Sequence, residues 1–150
     1  MTTTTFRRDV TTRLVALARD FMSENPTLLL KVYHRKPTGF TGDLPAMYVG
    51  SKNEAIRHTS GLRQRTMEPQ LVLVGNPTGS PDEIADEVDT LVDYFLDYIT
   101  VHPHAISSNT VTSVTTIRDV ELESDDVVYP AAVLTLGETI ALEGRSRSGP

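Results

Sequence analysis

The residue types from which reactive sites are built gather in a few short stretches. Gly75, Asn76, Pro77, Thr78, Gly79 and Ser80 make a glycine-bounded loop between an expected strand and an expected helix. A phosphate-binding loop in that setting needs a Gly-Lys-Ser/Thr ending, so that a lysine reaches the phosphates. No lysine follows Gly79, and Asp82 and Glu83 place negative charge at the helix start. That charge opposes the attraction of a helix N-terminus for anions. The loop therefore reads as a capped turn, and no cofactor is expected. His102 and His104 flank Pro103. Two histidines without a third ligand do not make a zinc site, so no metal is expected. Asp86, Asp93 and Asp97 share the polar side of a helix, all in solvated surroundings. Acid–base catalysis needs carboxylates whose environments push their pKa values apart. No serine or histidine sits in a nucleophile-elbow context. With no cysteine in the chain, thiolate catalysis, thiolate zinc sites and disulfides are excluded. No catalytic residue is assigned, and an enzyme is not expected.

Charge is the more informative signal. The net charge is −6 over 150 residues, but residues 1–65 hold eleven Lys/Arg against five Asp/Glu, whereas residues 66–150 hold three against fifteen. Such asymmetry points to an interaction role; the alternative is two halves that neutralise each other within one fold. The positive charge concentrates at 51–66, in Lys52, Arg57, Arg63 and Arg65 with His58, against Glu54 alone. The negative charge concentrates in the helix after Ser80. Phosphate contacts would suit the basic stretch. It lacks interleaved aromatics, however, since Phe40 and Tyr48 both precede it, and the chain as a whole is acidic. Stacking on single strands is thus unsupported, and a protein contact is the favoured reading.

The elements that must position these charges follow from periodicity. Ser80 with Glu83 forms a capping box and Pro81 sits at N1. Ile84, Val88, Leu91, Val92, Phe95 and Ile99 share one face of a helix ending at His102-Pro103. The opposite face carries Asp86, Glu87, Asp89, Asp93 and Asp97, with no Lys or Arg from Pro81 to Val101. An earlier helix starts at Phe6, with Val10, Leu14, Leu17, Ala18 and Phe21 on one face, and ends at Asn25-Pro26. Strands are expected at Leu28 to Arg35, Leu44 to Val49, Met67 to Val74, Thr110 to Leu122 and Val127 to Leu142. The first two suggest a hairpin with a long loop, the second on an edge because of Pro45. In the last strand, Val128, Ala132, Leu134, Leu136, Ile140 and Leu142 are expected to share a face, with a bulge at Gly137. Residues 51–66 are expected to be a mobile basic loop.

The order α-β-β-β-α-β-β predicts an α+β fold: an antiparallel or mixed five-stranded sheet with two helices packed on one face. One domain spans 1–142, and 143–150 is expected to be a flexible tail. The other sheet face, with Tyr33, Val72, Val74, Thr135 and Thr139, is semi-apolar, as a subunit contact requires. The start has no apolar signal-peptide region, and no run approaches a membrane span, so a soluble cytosolic product is expected.

The helix Phe6 to Met22, the strand Leu28 to Arg35, the strand Met67 to Gly75 (MEPQLVLVG), the helix Ile84 to Phe95 (IADEVDTLVDYF) and the closing strand Tyr129 to Leu136 (YPAAVLTL) occur in an order that resembles a known family. The chain resembles the tail terminator, or tail-to-head joining, proteins of long-tailed bacteriophages over nearly its whole length, in element order and style. The resemblance implies a homohexameric ring in the virion, at the head-proximal end of the tail. Such a ring stops growth of the tail tube protein, meets the head–tail connector protein, and lets DNA pass only as cargo. It implies no enzyme activity and no cofactor. A closed ring joins two different patches of one surface. The expected pair is Arg57, Arg63 and Arg65 against Asp89, Asp93 and Asp97 of a neighbouring copy or ring. Alternatively the acidic face lines the channel, where like charge keeps DNA from sticking. Other readings are another neck or head-completion protein of a phage, and a small α+β module binding a ligand or nucleic acid.

Overall fold

In a computed structural model of the chain, residues 5–40, 42–106 and 111–144 are described. Helix α1 (Phe6–Glu24) leads to strands β1 (Lys31–Tyr33), β2 (Ala46–Thr59) and β3 (Leu62–Val74), then helix α2 (Pro81–Thr100) and strands β4 (Val114–Ser124), β5 (Val127–Leu136) and β6 (Thr139–Gly144). The architecture is α+β, with both helices on one face of a mixed sheet ordered β1-β2-β3-β5-β4, and β6 paired to β3 beyond β5. The sheet has six strands because the expected last strand divides at Gly137 and Glu138. Its first part pairs with Gln70–Val74, and its second continues along the same strand from Met67 to Leu62.

The helices are built as their periodicity demands. In α2, Ser80 Oγ accepts from the Glu83 N–H while the Glu83 carboxylate accepts from the Ser80 N–H, each at 3.3 Å. Val88, Leu91, Val92, Phe95 and Ile99 are buried, and Tyr98 joins them. Phe21 of α1 meets the rings of Phe95 and Tyr98 edge-on at 5.2 and 5.5 Å, an arrangement that aromatic quadrupoles favour. These contacts fix which flank of α2 faces α1.

Several expectations change. Residues 51–66 are not an irregular loop: β2 and β3 run through them as a long hairpin closed by Ser60 and Gly61, with φ of +30° and +84°. A two-residue loop with positive φ at both positions matches the twist of an antiparallel pair. Residues 52–58 are mostly polar and form a largely exposed strand, so no apolar alternation marks it in the sequence. β1 is shorter than expected and runs parallel to β2, not as its hairpin partner. A parallel neighbour requires the chain to cross over, and of the described connecting residues Phe40 and Leu44 lie over the far side of the sheet. Pro45 precedes β2, its carbonyl accepting from the Leu30 N–H at 2.9 Å, so β2 is interior. Leu28 and Leu30 lie outside β1; Leu29 is buried and Leu30 exposed.

The central part of the face away from the helices, expected from Val72 and Val74 to serve a subunit contact, is covered within the chain. Ala46, Tyr48, Val72, Val74, Tyr129, Ala131 and Val133 form a second buried cluster, with Leu44 and Phe40 of the crossover over it and Tyr33 beside it. Phe40 meets the Tyr129 ring at 5.0 Å. Thr139 lies opposite Met67 on the helix side and is buried there, so Ile140 turns to the far face, out of phase with Leu134. The bulge between Val49 and Lys52 shifts β2 in the same way. Both neighbours of β3 thus break register beside Pro69, and bulges bend the strands that carry them. The outer parts of β2, β3 and β6 form a three-stranded arm beyond that line. Residues 1–4 and 145–150 lie outside the described residues, as do 107–110 between α2 and β4; of the expected tail, residues 143 and 144 belong to β6.

Candidate functional site

Because the bulge resets the alternation, Lys52, Glu54 and Ile56 of β2 face the helix side of the arm. There α1 meets it. Glu54 accepts from Arg7 Nη1 at 2.8 Å and from Arg65 Nε, and Lys52 Nζ donates to Thr11 Oγ1 at 2.8 Å. The Arg65 guanidinium also lies 5.2 Å from the Phe6 ring centre. The Arg65 and Glu54 side chains are 11% and 9% exposed, against 51% for Arg7. Hydrogen bonding from Arg65 holds the Glu54 carboxyl below its ordinary pKa; burial opposes this and Arg7 reinforces it. Burial, with Arg7 and Arg35 nearby, lowers the Lys52 pKa.

The expected basic patch therefore divides. Arg65 works inside the subunit, as the anchor between arm and helix. Arg57 and Arg63 lie toward the arm's end and are exposed. Arg57 points to the face away from the helices, where Ala55, Gln64, Thr66, Glu138 and Ile140 line a shallow groove of about 440 Å³ with it. Ile56 and Leu62, 54% and 49% exposed, flank it.

The acidic side is broader than α2. Asp89, Asp93 and Asp97 are exposed, and among the described residues none of them makes an ion pair. Asp89 and Asp93 occupy the flank of α2 turned away from α1, which overlooks β4. On β4, Val120 and Leu122 turn to the second cluster. Ile117, Asp119, Glu121 and Glu123 accordingly turn to the helix side, and all are exposed. Helix α2 packs on β3 and β5, leaving this row uncovered. The period-two spacing of Ile117, Asp119, Glu121 and Glu123 is the signal in the sequence that marks this row.

At the other end of α2, His102 stacks on Tyr98 with centroids 4.0 Å apart, and its Nδ1 lies 2.8 Å from the Tyr98 carbonyl oxygen. Arg13 Nη1 donates to the Ile106 carbonyl at 3.0 Å. Burial, with hydrogen bonding to Glu24, pushes the Tyr98 phenol up to about 12. His102 and His104 line an open cleft of about 350 Å³ with these groups. Among the described residues no three His, Asp or Glu side chains are grouped to hold a metal ion, and no helix is long and apolar enough to cross a membrane. Asn76 and Thr78 form a side-chain-braced turn: the Thr78 N–H donates to Asn76 Oδ1 and the Asn76 N–H to Glu87. A carboxylate thus holds a backbone donor that a phosphate would need.

Arm and acidic row lie far apart in one copy. Arg57 is level with Gln64, Ile117 with Leu71, and Asp119 with Leu73 through Ala132. Along β3 these levels span roughly 23 to 30 Å at ~3.3 Å per residue. Screening at physiological salt acts over about 8 Å, so these charges do not neutralise each other within a subunit. No protein-family model matches the chain, and no curated protein matches it.

Proposed function

We propose that the chain is a structural virion protein that closes the tail tube as a ring, ends tube polymerisation and forms the surface met by the head–tail connector. The resemblance in element order motivates the specific role. One observation carries the assembly reading: exposed basic and acidic surfaces lie too far apart to meet within one copy. Head-to-tail contacts pair unlike patches of one surface and generate closed rings, and opposite charge sets the register of such contacts.

The partners are further copies of the chain, with six expected, together with the tube and connector proteins; DNA is cargo. Arg57, with Arg63, supplies the basic side, and Asp89, Asp93 and Asp97 belong to the acidic side. Arg65 is withdrawn from the contact, because it is committed to Glu54. Native mass spectrometry of the purified chain over rising concentration tests the reading. A closed ring of six is the expected species at high concentration. A chain that remains monomeric at every concentration, alone and with tube protein, contradicts it.

A further inference from the structure

We propose that the arm tip of one copy seats on the uncovered helix-side strip of β4 and β5 in the next copy, beside α2. This rests on the assembly reading above and specifies its contact. The strip is a mixed surface. Ile117 and Val128, 44% and 50% exposed, lie on the same side as Asp119, Glu121 and Glu123, because Glu123 pairs with Val128 and Ile117 with Leu134. Asp89 and Asp93 of α2 wall it. The arm tip has the complementary composition: Leu62 shares the face of Arg57, the one away from the helices, and Ile56 projects from the opposite face. Apolar anchors ringed by opposite charges are the usual anatomy of a specific contact.

Register within the sheet argues for a second copy as the occupant. Among the described residues β4 pairs with β5 alone, and β5 pairs with β3 only from Gln70 onward, so the arm extends past one end of β4. The Glu121–Glu123 end of the strip lies at the opposite end of the sheet from Ser60 and Gly61. One copy therefore presents a basic, apolar-tipped hairpin at one end and an acidic, apolar-based seat at the other. A head-to-tail ring uses both and leaves neither exposed.

The chain has no cysteine, so single thiols report cleanly. Leu62→Cys and Ile117→Cys chains of different tag length are mixed at assembling concentration and treated with a short bismaleimide. The expected product is the mixed crosslinked dimer, at least tenfold above that from Leu62→Cys with Val101→Cys, an exposed control at the end of α2. Glu121→Lys is expected to weaken association at least tenfold, with an unchanged circular dichroism melt. If rings form but the two crosslinking yields are equal, or Glu121→Lys assembles like the parent, the seat is elsewhere and the ring reading stands alone. If rings form and Ile117→Cys crosslinks to the Val101→Cys control but not to Leu62→Cys, another part of the neighbouring copy occupies the strip and this proposal fails. A parent chain that never associates removes both readings.

Discussion

Glu54 receives two guanidinium groups, one from each element it joins, and nearly all of its carboxylate is withdrawn from water. Removing one partner of a buried pair strands the other charge, so Glu54→Ala is expected to cost about 3 kcal/mol. Urea unfolding of the variant measures this; a loss below about 0.5 kcal/mol would mean the pair is solvated. The sign of the acid effect follows from the lowered pKa. In the unfolded chain the carboxyl titrates near about 4.3. Its stabilisation is full above that pH and is lost as pH falls through the lower folded value. The same stability series between pH 6 and 3 should show the parent, and not the variant, losing this increment. Little of this was legible in the sequence. Glu54 stood out as the single acid among basic residues, but its partners come from Arg7 and Arg65, and the one extra residue of the bulge between Val49 and Lys52 decides that it faces them. The capping pair Ser80 and Glu83, by contrast, acts within one turn of helix and could be read directly.

At the scale of elements, the two helices were legible because their apolar stripes are long and their ends are marked by Ser80, Pro81, Asn25 and Pro103. The strands were legible where one side is buried and illegible where neither is. Residues 51–59 are mostly polar, with Ala55 and Ile56 adjacent, so this edge strand of the arm carries no hydrophobic period. Its existence depends on pairing to β3, which is a nonlocal fact. The parallel placement of β1 is likewise nonlocal, since three residues cannot declare their direction. Turn chemistry is a local matter and makes a prediction. The β4–β5 hairpin closes through Asp125 and Asp126 at φ of +52° and +62°, a conformation that glycine adopts without steric cost. Asp126→Gly is expected to raise stability by about 0.5 kcal/mol, read as a higher thermal midpoint. A lower midpoint would contradict the left-handed turn.

For the whole molecule, the charge asymmetry between the two halves of the chain has a spatial counterpart. The basic arm tip and the acidic strip lie at separate levels of one sheet, well beyond the screening length. The sequence disclosed the segregation but not the distance, because only strand register converts residue number into position. It also pointed to α2 alone, whereas the acidic surface includes the β4 row. The central part of the face expected for a subunit contact proved to be filled by the crossover carrying Phe40, which leaves arm and strip as the surfaces to be joined. Sedimentation equilibrium of Arg57→Glu against the parent chain, at low and at high salt, tests this most directly, because Arg57 is exposed and among the described residues its side chain makes no ion pair. The account predicts that the parent forms rings that weaken with salt. It also predicts that Arg57→Glu dissociates to folded monomers at concentrations where the parent is assembled. An Arg57→Glu chain that assembles as the parent does, with the same salt response, would contradict it.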